Sequence, residues 1–220
     1  MNIQLLYCFL FFLCFVLILV LCEFLYRKGV QVEYTRKIAH SFSTLLCLSV
    51  PICFSSNWYA LLFVIGSFSI LYIGHKKQLL NSIHAVGRKT YGAFLLPLSI
   101  GIAYYISLLL QNKLLFILPV IVLAISDPLA CFFGKTYKSK VLTSGKTVTG
   151  TLVFFLSTLI ISSSILLYQS AGIKSASIAL GVSVITSGVE LISPRGSDNL
   201  TIPLSMIASL MLFSTIFASP

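Results

Sequence analysis

From residue 3 to residue 22 the chain runs for 20 positions without a charged side chain, and apolar runs of similar length recur almost to its last residue. A helix needs about 20 apolar residues to cross the hydrocarbon core of a bilayer. Inside that core every backbone N–H and C=O must be satisfied by the segment itself or by a closed sheet, so only helices and barrels span it. The runs here are continuous, without the alternation of a lipid-facing barrel strand. Of 220 residues, 58% are hydrophobic and 9% charged, with a mean hydropathy of +1.02. Soluble domains seldom reach such values. The sequence therefore predicts an all-α fold, a polytopic transmembrane helical bundle. Residues 1–220 form one integral membrane domain without evident repeats.

Eight spans are expected, at about residues 3–22, 40–54, 58–73, 92–110, 114–133, 152–168, 175–192 and 200–218. The first lacks the basic start, short core and small-residue cleavage site of a removable signal, so it is read as a span. Alternate loops fall on opposite sides of the membrane. Thirteen of the fifteen Lys and Arg lie in one set of loops; only Lys113 and Lys174 lie in the other. That asymmetry places the lysine-rich loops in the cytoplasm and both termini on the far side. It also accounts for the net charge of +10 without a nucleic-acid partner. The six cysteines form no C-x-x-C pair, which argues against a disulfide framework or a zinc site.

The chain has only five acids, Glu23, Glu33, Asp127, Glu190 and Asp198, and this topology puts all five at the cytoplasmic face. Asp127 lies inside an apolar run, at Ser126-Asp127-Pro128, with the helix-disrupting Pro128 next to it. An ionised carboxylate there must face a partner, a ligand or a polar cavity. Four lysines follow, at 135, 138, 140 and 146, and lysine binds phosphate as a point charge. Asp127, Glu190 and Asp198 on neighbouring helix ends suit a hard divalent cation, magnesium, held together with nucleotide phosphates. The bland alternative is a headgroup-level salt bridge for each acid, the reading favoured for Glu23.

Glu33, Arg36 or Lys37, and His40 fall on one helical face as a polar stripe at the cytoplasmic end of the second span. Arginine there can grip a phosphate by its fork. His75 and His84 read as solvated loop residues without matching partners. Gly145-Lys146-Thr147 looks like the tail of a P-loop, but that motif needs glycine where Lys140 stands and a strand before it. Glycines on both sides of Lys146 still allow close backbone approach to phosphate, and the following helix is expected to offer free N–H groups at its start.

Four segments in order, E-x-x-R-K-x-x-H at 33–40, S-D-P-x-A-x-x-x-G at 126–134, K-T-x-x-G-T at 146–151, and Glu190 followed by D-N-L-T-x-P at 198–203, resemble the dolichol kinase and phytol kinase family. The stretch from Arg88 to Pro97 resembles that family's R-x-x-Y/F-G segment before a span. Members of the family are polytopic CTP-dependent kinases of lipid alcohols, distantly similar to phosphatidate cytidylyltransferases. The resemblance covers nearly the whole chain from Glu33 onward. It implies that CTP is the phosphate donor, with Gly134, Lys135, Gly145, Lys146, Thr147 and Gly150 around its phosphates and Arg36, Lys37, His40 and Asn199 contributing. It implies catalytic roles for Asp127, Asp198 and Lys146, and a magnesium site of Asp127 and Asp198 with Glu190. Where the family commonly carries a glutamate, this chain has Thr149.

The implied function is CTP-dependent phosphorylation of a polyprenol-type alcohol of the dolichol, phytol or farnesol class, with membrane lipids as surroundings. A homo-oligomer stays open. A phosphatidate cytidylyltransferase would use the same nucleotide and metal, but its H-G-G-x-x-D-R-x-D ending is absent; Gly196-Ser197-Asp198-Asn199 stands there. A transporter would place its acids near the midplane between repeats, whereas here they gather at one face.

Overall fold

The computed structural model describes residues 3–54, 57–85, 91–170, 172–194 and 196–218. Its helices are α1 (Ile3–Arg27), α2 (Val32–Leu46), α3 (Val50–Cys53), α4 (Asn57–Lys76), α5 (Asn81–His84), α6 (Gly92–Leu109), α7 (Leu114–Thr136), α8 (Val148–Gln169), α9 (Ile173–Ile192) and α10 (Asp198–Ala218). The fold is all-α, as the continuous apolar runs require. A 3₁₀ turn at Cys47–Ser49 joins α2 to α3. Pro51, in the first turn of α3, has no N–H to give the residue 47 carbonyl, and a tighter turn takes up the interruption.

Among the described residues, α2 with α3 and seven longer helices follow one another where eight spans are expected. Five of them, α1, α6, α7, α8 and α9, are long and apolar enough to cross a membrane. Apolar stretches in α4 and α10 are shorter, Leu61–Lys76 and Asp198–Ser214. Length and apolarity alone thus carry five of the eight expected spans.

The helices turn large apolar side chains outward and small polar ones inward, as a lipid surround demands. On α2 the buried residues are Thr35, Ala39, His40, Ser43 and Thr44, while Phe42 is 57% exposed. Helix α7 is the centre. In its apolar stretch 61% of residues are buried, against 22% in α1, and it packs on α2, α6, α8 and α10. Pro128 does not break it; the helix continues to Thr136.

Two sequence expectations change near the C-terminal end of α1. Glu23 pairs with Arg27 at 3.3 Å, but its second oxygen accepts the Ser82 N–H at 2.9 Å. Thr35 Oγ1 donates to the Ser82 carbonyl at 2.8 Å, so α5 is pinned beneath α1 and α2 from both sides. His75 is exposed, as expected, and His84 half-buried, but neither histidine is without a partner. Their ring centroids lie 4.6 Å apart, and His84 stacks on Phe94 at 5.8 Å. Burial, with His75 adding to it, lowers the His84 pKa to about 4, although a hydrogen bond to the Leu71 backbone opposes the shift.

Candidate active site

Helix α2 brings the first polar group to the C-terminal part of α7. Arg36 Nη2 donates to Glu33 Oε2 at 2.9 Å, one turn along the stripe. Lys37 Nζ lies 2.5 Å from Asp127 Oδ2. His40 Nε2 is 3.5 Å from the same oxygen and 3.0 Å from the Leu123 carbonyl. Asp127 is 2% exposed, so the lysine supplies the charge partner that burial in an apolar helix demands.

Two glycines bring α8 against α7. A Cβ on Gly134 would stand 2.7 Å from Thr147 Oγ1 and 3.3 Å from Gly150 Cα, and one on Gly150 would stand 3.0 Å from the Ala130 carbonyl. A side chain at either position would force its neighbours to shift. Gly145 turns the preceding loop with φ +73°, in the region that glycine adopts without strain. Leu142 N donates to the Lys146 carbonyl at 2.7 Å, and Lys146 N to the Thr143 carbonyl at 3.1 Å. The loop is therefore braced by its own backbone, with Lys146 projecting from it.

Lys146 gathers the remaining acids. Its ammonium is 2.5 Å from Glu190 Oε1 on α9 and 3.3 Å from Asp198 Oδ2 at the start of α10. Burial works against the charge, but Asp198, Glu190 and Asp127 outweigh it and raise the Lys146 pKa above the ordinary lysine value.

One pocket is lined by Arg36, Lys37, Asp127, Gly134, Lys135, Gly145, Lys146, Thr147, Gly150, Glu190 and Asp198, all singled out in the sequence. Two expected residues stand outside the lining. His40 is 7% exposed and lies behind Asp127. Asn199 is turned to α6, where its Nδ2 donates to the Gly92 carbonyl at 2.6 Å. Glu33, Ala130, Cys131, Thr151 and Gly196 also line the pocket. Helical spacing from Arg36 signals Glu33, and Thr151 closes the K-T-x-x-G-T segment, whereas nothing in the sequence marks Cys131. Thr149, at the position of the family glutamate, is not in the lining; its N–H donates to Ser139 Oγ at 3.1 Å. Arg88 to Thr90, in the resembling segment before α6, and Arg195 lie outside the described residues.

The free helix start expected at α8 is not free. Thr147 Oγ1 accepts the Gly150 N–H at 3.1 Å, and Val148 N donates to the Lys140 carbonyl at 3.0 Å. With Thr149 N held by Ser139, the first-turn donors have partners within the protein. Anion attraction in this pocket comes from side chains.

The three expected metal carboxylates share the pocket but do not converge as a cage. Among the described residues no group of three His, Cys, Asp or Glu is close enough to hold an ion. Lys146 stands between Glu190 and Asp198, and Lys37 holds Asp127, because buried like charges separate around counterions. Magnesium usually takes one or two carboxylates plus substrate phosphates and water. Hard oxygen donors beside lysine and arginine side chains fit that mode.

No protein-family model matches the chain, and no solved structure matches it. A curated relative decides the direction of the functional reading. The chain is a distant relative of a phytol kinase. It is 27% identical to phytol kinase of Synechocystis sp. over 176 residues, which cover 78% of this chain and 76% of that protein. It is 36% identical to an uncharacterized protein of Rickettsia prowazekii over 115 residues, 51% of this chain and 55% of that one.

Proposed function

We propose that this protein transfers the terminal phosphate of CTP, with magnesium, to the hydroxyl of a polyprenol-type lipid alcohol of the phytol, farnesol or dolichol class. The observation that carries this reading is the pocket in which Arg36, Lys37, Lys135 and Lys146 meet Asp127, Glu190 and Asp198 at one end of a membrane-type bundle. Similarity to a phytol kinase over 78% of the chain supports the same reaction class. The charge asymmetry of the loops favours a cytoplasmic active face and non-cytoplasmic termini.

In this reading Lys37 and Lys146 exchange carboxylate partners for phosphate oxygens when the nucleotide enters. Asp127 and Asp198 are then free for the cation, with Glu190 the third carboxylate of the pocket. A cation held there would neutralise charge on the phosphates. Phosphoryl transfer passes through a loose transition state, so positioning and charge neutralisation carry most of the rate, and no covalent nucleophile is needed. The alcohol suits the setting: its hydroxyl sits at headgroup level while its tail lies among helices that already face outward with apolar side chains.

Equilibrium binding of CTP to purified protein, with and without magnesium, tests the site. Tight binding of CTP only when magnesium is present is expected. Binding that ignores the cation removes the carboxylate assignment.

A further inference from the structure

One atom of the pocket has no role in the charge pairing just described. Glu190 is 2% exposed, and Lys146 engages its Oε1 at 2.5 Å. Its Oε2 is buried without a hydrogen-bond partner, and so is Oγ1 of Thr151. Both residues line the pocket. Buried polar atoms in folded proteins almost always have partners, and an orphan marks a strained site or a missing ligand.

The Thr151 hydroxyl lacks the backbone partner that several hydroxyls of the bundle have. Ser157, Ser164 and Ser183 donate to the carbonyls of Val153, Ile160 and Ala179, one turn earlier in the same helix, which is how a hydroxyl in an apolar helix normally satisfies itself. Thr151 makes no such bond, and neither do Thr186 and Ser187, one turn before Glu190 on α9. Unpartnered buried hydroxyls also occur elsewhere, at Thr44, Ser67, Ser82, Ser126, Thr158 and Ser162, but among the described residues Glu190 Oε2 and Thr151 Oγ1 are the two such atoms whose residues line the pocket.

Resting on the kinase reading above, we propose that Glu190 Oε2 and Thr151 Oγ1 form the seat of the acceptor hydroxyl, with Glu190 as the catalytic residue that takes its proton. A lipid alcohol offers one O–H donor and an oxygen that accepts through its lone pairs. The carboxylate takes the donor and the threonine hydroxyl serves the oxygen. Lys146, held by the other carboxylate oxygen, keeps the seat next to the phosphates. During transfer the alcohol O–H bond breaks and its proton passes to Glu190 Oε2. The alcohol oxygen bonds to the terminal phosphorus, and the bond from that phosphorus to the bridging oxygen breaks. The nucleoside diphosphate leaves with that electron pair, and Glu190 returns the proton to water as the products depart. Phosphorus and oxygen change partners without any change in oxidation state. Of the three pocket acids, this assigns Glu190 to the alcohol and leaves Asp127 and Asp198 to the cation.

The test compares wild type, Glu190→Gln and Thr151→Val, reading magnesium–CTP binding and phosphate transfer to farnesol on the same preparations. Glu190→Gln should bind magnesium–CTP within about threefold of wild type yet transfer phosphate at least about a hundredfold more slowly, the scale of a lost general base. Thr151→Val should raise KM for farnesol about tenfold and change kcat little, the mark of a lost hydroxyl contact. If Glu190→Gln loses magnesium–CTP binding in step with activity, or keeps the wild-type rate, the seat is wrong. A wild-type protein that binds magnesium–CTP but phosphorylates no alcohol overturns the kinase reading itself, before any variant is compared.

Discussion

Lys37 on α2 and Asp127 on α7 stand 2.5 Å apart across 90 positions of sequence, and their pairing ties the stripe of the second span to the most buried helix of the bundle. Lys37 is 14% exposed in its side chain and Asp127 3%. Replacing Asp127 by Asn keeps the shape but strands the ammonium. Breaking an enclosed pair costs about 3–5 kcal/mol, and a partner that can reach water costs less. Asp127→Asn should therefore lower the melting temperature of the detergent-solubilised protein, and adding Lys37→Met should recover it. Neither variant should phosphorylate lipid. A sequence reading of Asp127 as a metal ligand alone expects no loss of stability from Asp127→Asn, so the double variant separates the two roles.

Lys146→Ala should weaken CTP binding at least about tenfold, since it removes a charged contact to phosphate. Lys113→Ala, on the opposite side in the expected topology, should leave binding unchanged. Comparison of the two dissociation constants checks the clamp. The pH dependence follows from the raised Lys146 pKa. A lysine raised in the fold contributes stability that is complete below its unfolded pKa of about 10.4 and lost only as pH climbs through the higher folded value. From about pH 7 to about pH 9 this lysine stays charged, so the Lys146 contribution to CTP binding should be flat over that range.

The position of the site was legible in the chain before its contacts were. Charge asymmetry of the loops put all five acids at one face, and Glu33, Asp127, Glu190 and Asp198 do line one pocket. Glu23 does not, because its second oxygen serves the Ser82 backbone. Which lysine meets which acid depends on packing between helices far apart in sequence, and no local pattern carries it. Loop 137–147 braces itself through backbone bonds and fills the start of α8, a matter of turn geometry that glycine spacing alone does not disclose. Asn199 belongs to the D-N-L-T motif, yet it serves the α6–α10 contact through Gly92.

The orientation expected from the loop charges is open to direct labelling. In a cysteine-free background, Ser139→Cys should react with an impermeant thiol reagent from the cytoplasmic side, and Ser170→Cys from the other. Reaction of both from one side would remove the eight-span arrangement.

His84 predicts acid sensitivity away from the pocket. Its pKa is lowered to about 4, first by burial and then by His75, while the unfolded value is about 6.5. The unfolded chain therefore takes up the proton first. Stability from this group is complete above the unfolded value and is lost as pH falls from there through the folded one. Melting temperature should fall across that interval in wild type and fall less in His84→Phe, which keeps a ring against Phe94.

Transfer of label tests the central claim most directly. Purified protein is given CTP labelled on its terminal phosphate, magnesium, and in separate reactions farnesol, phytol, dolichol, diacylglycerol or phosphatidate. The account predicts label in an isoprenoid alcohol monophosphate, with CDP as the other product. Formation of a CDP-lipid from phosphatidate, or no labelled isoprenoid phosphate with any of the alcohols, would contradict it.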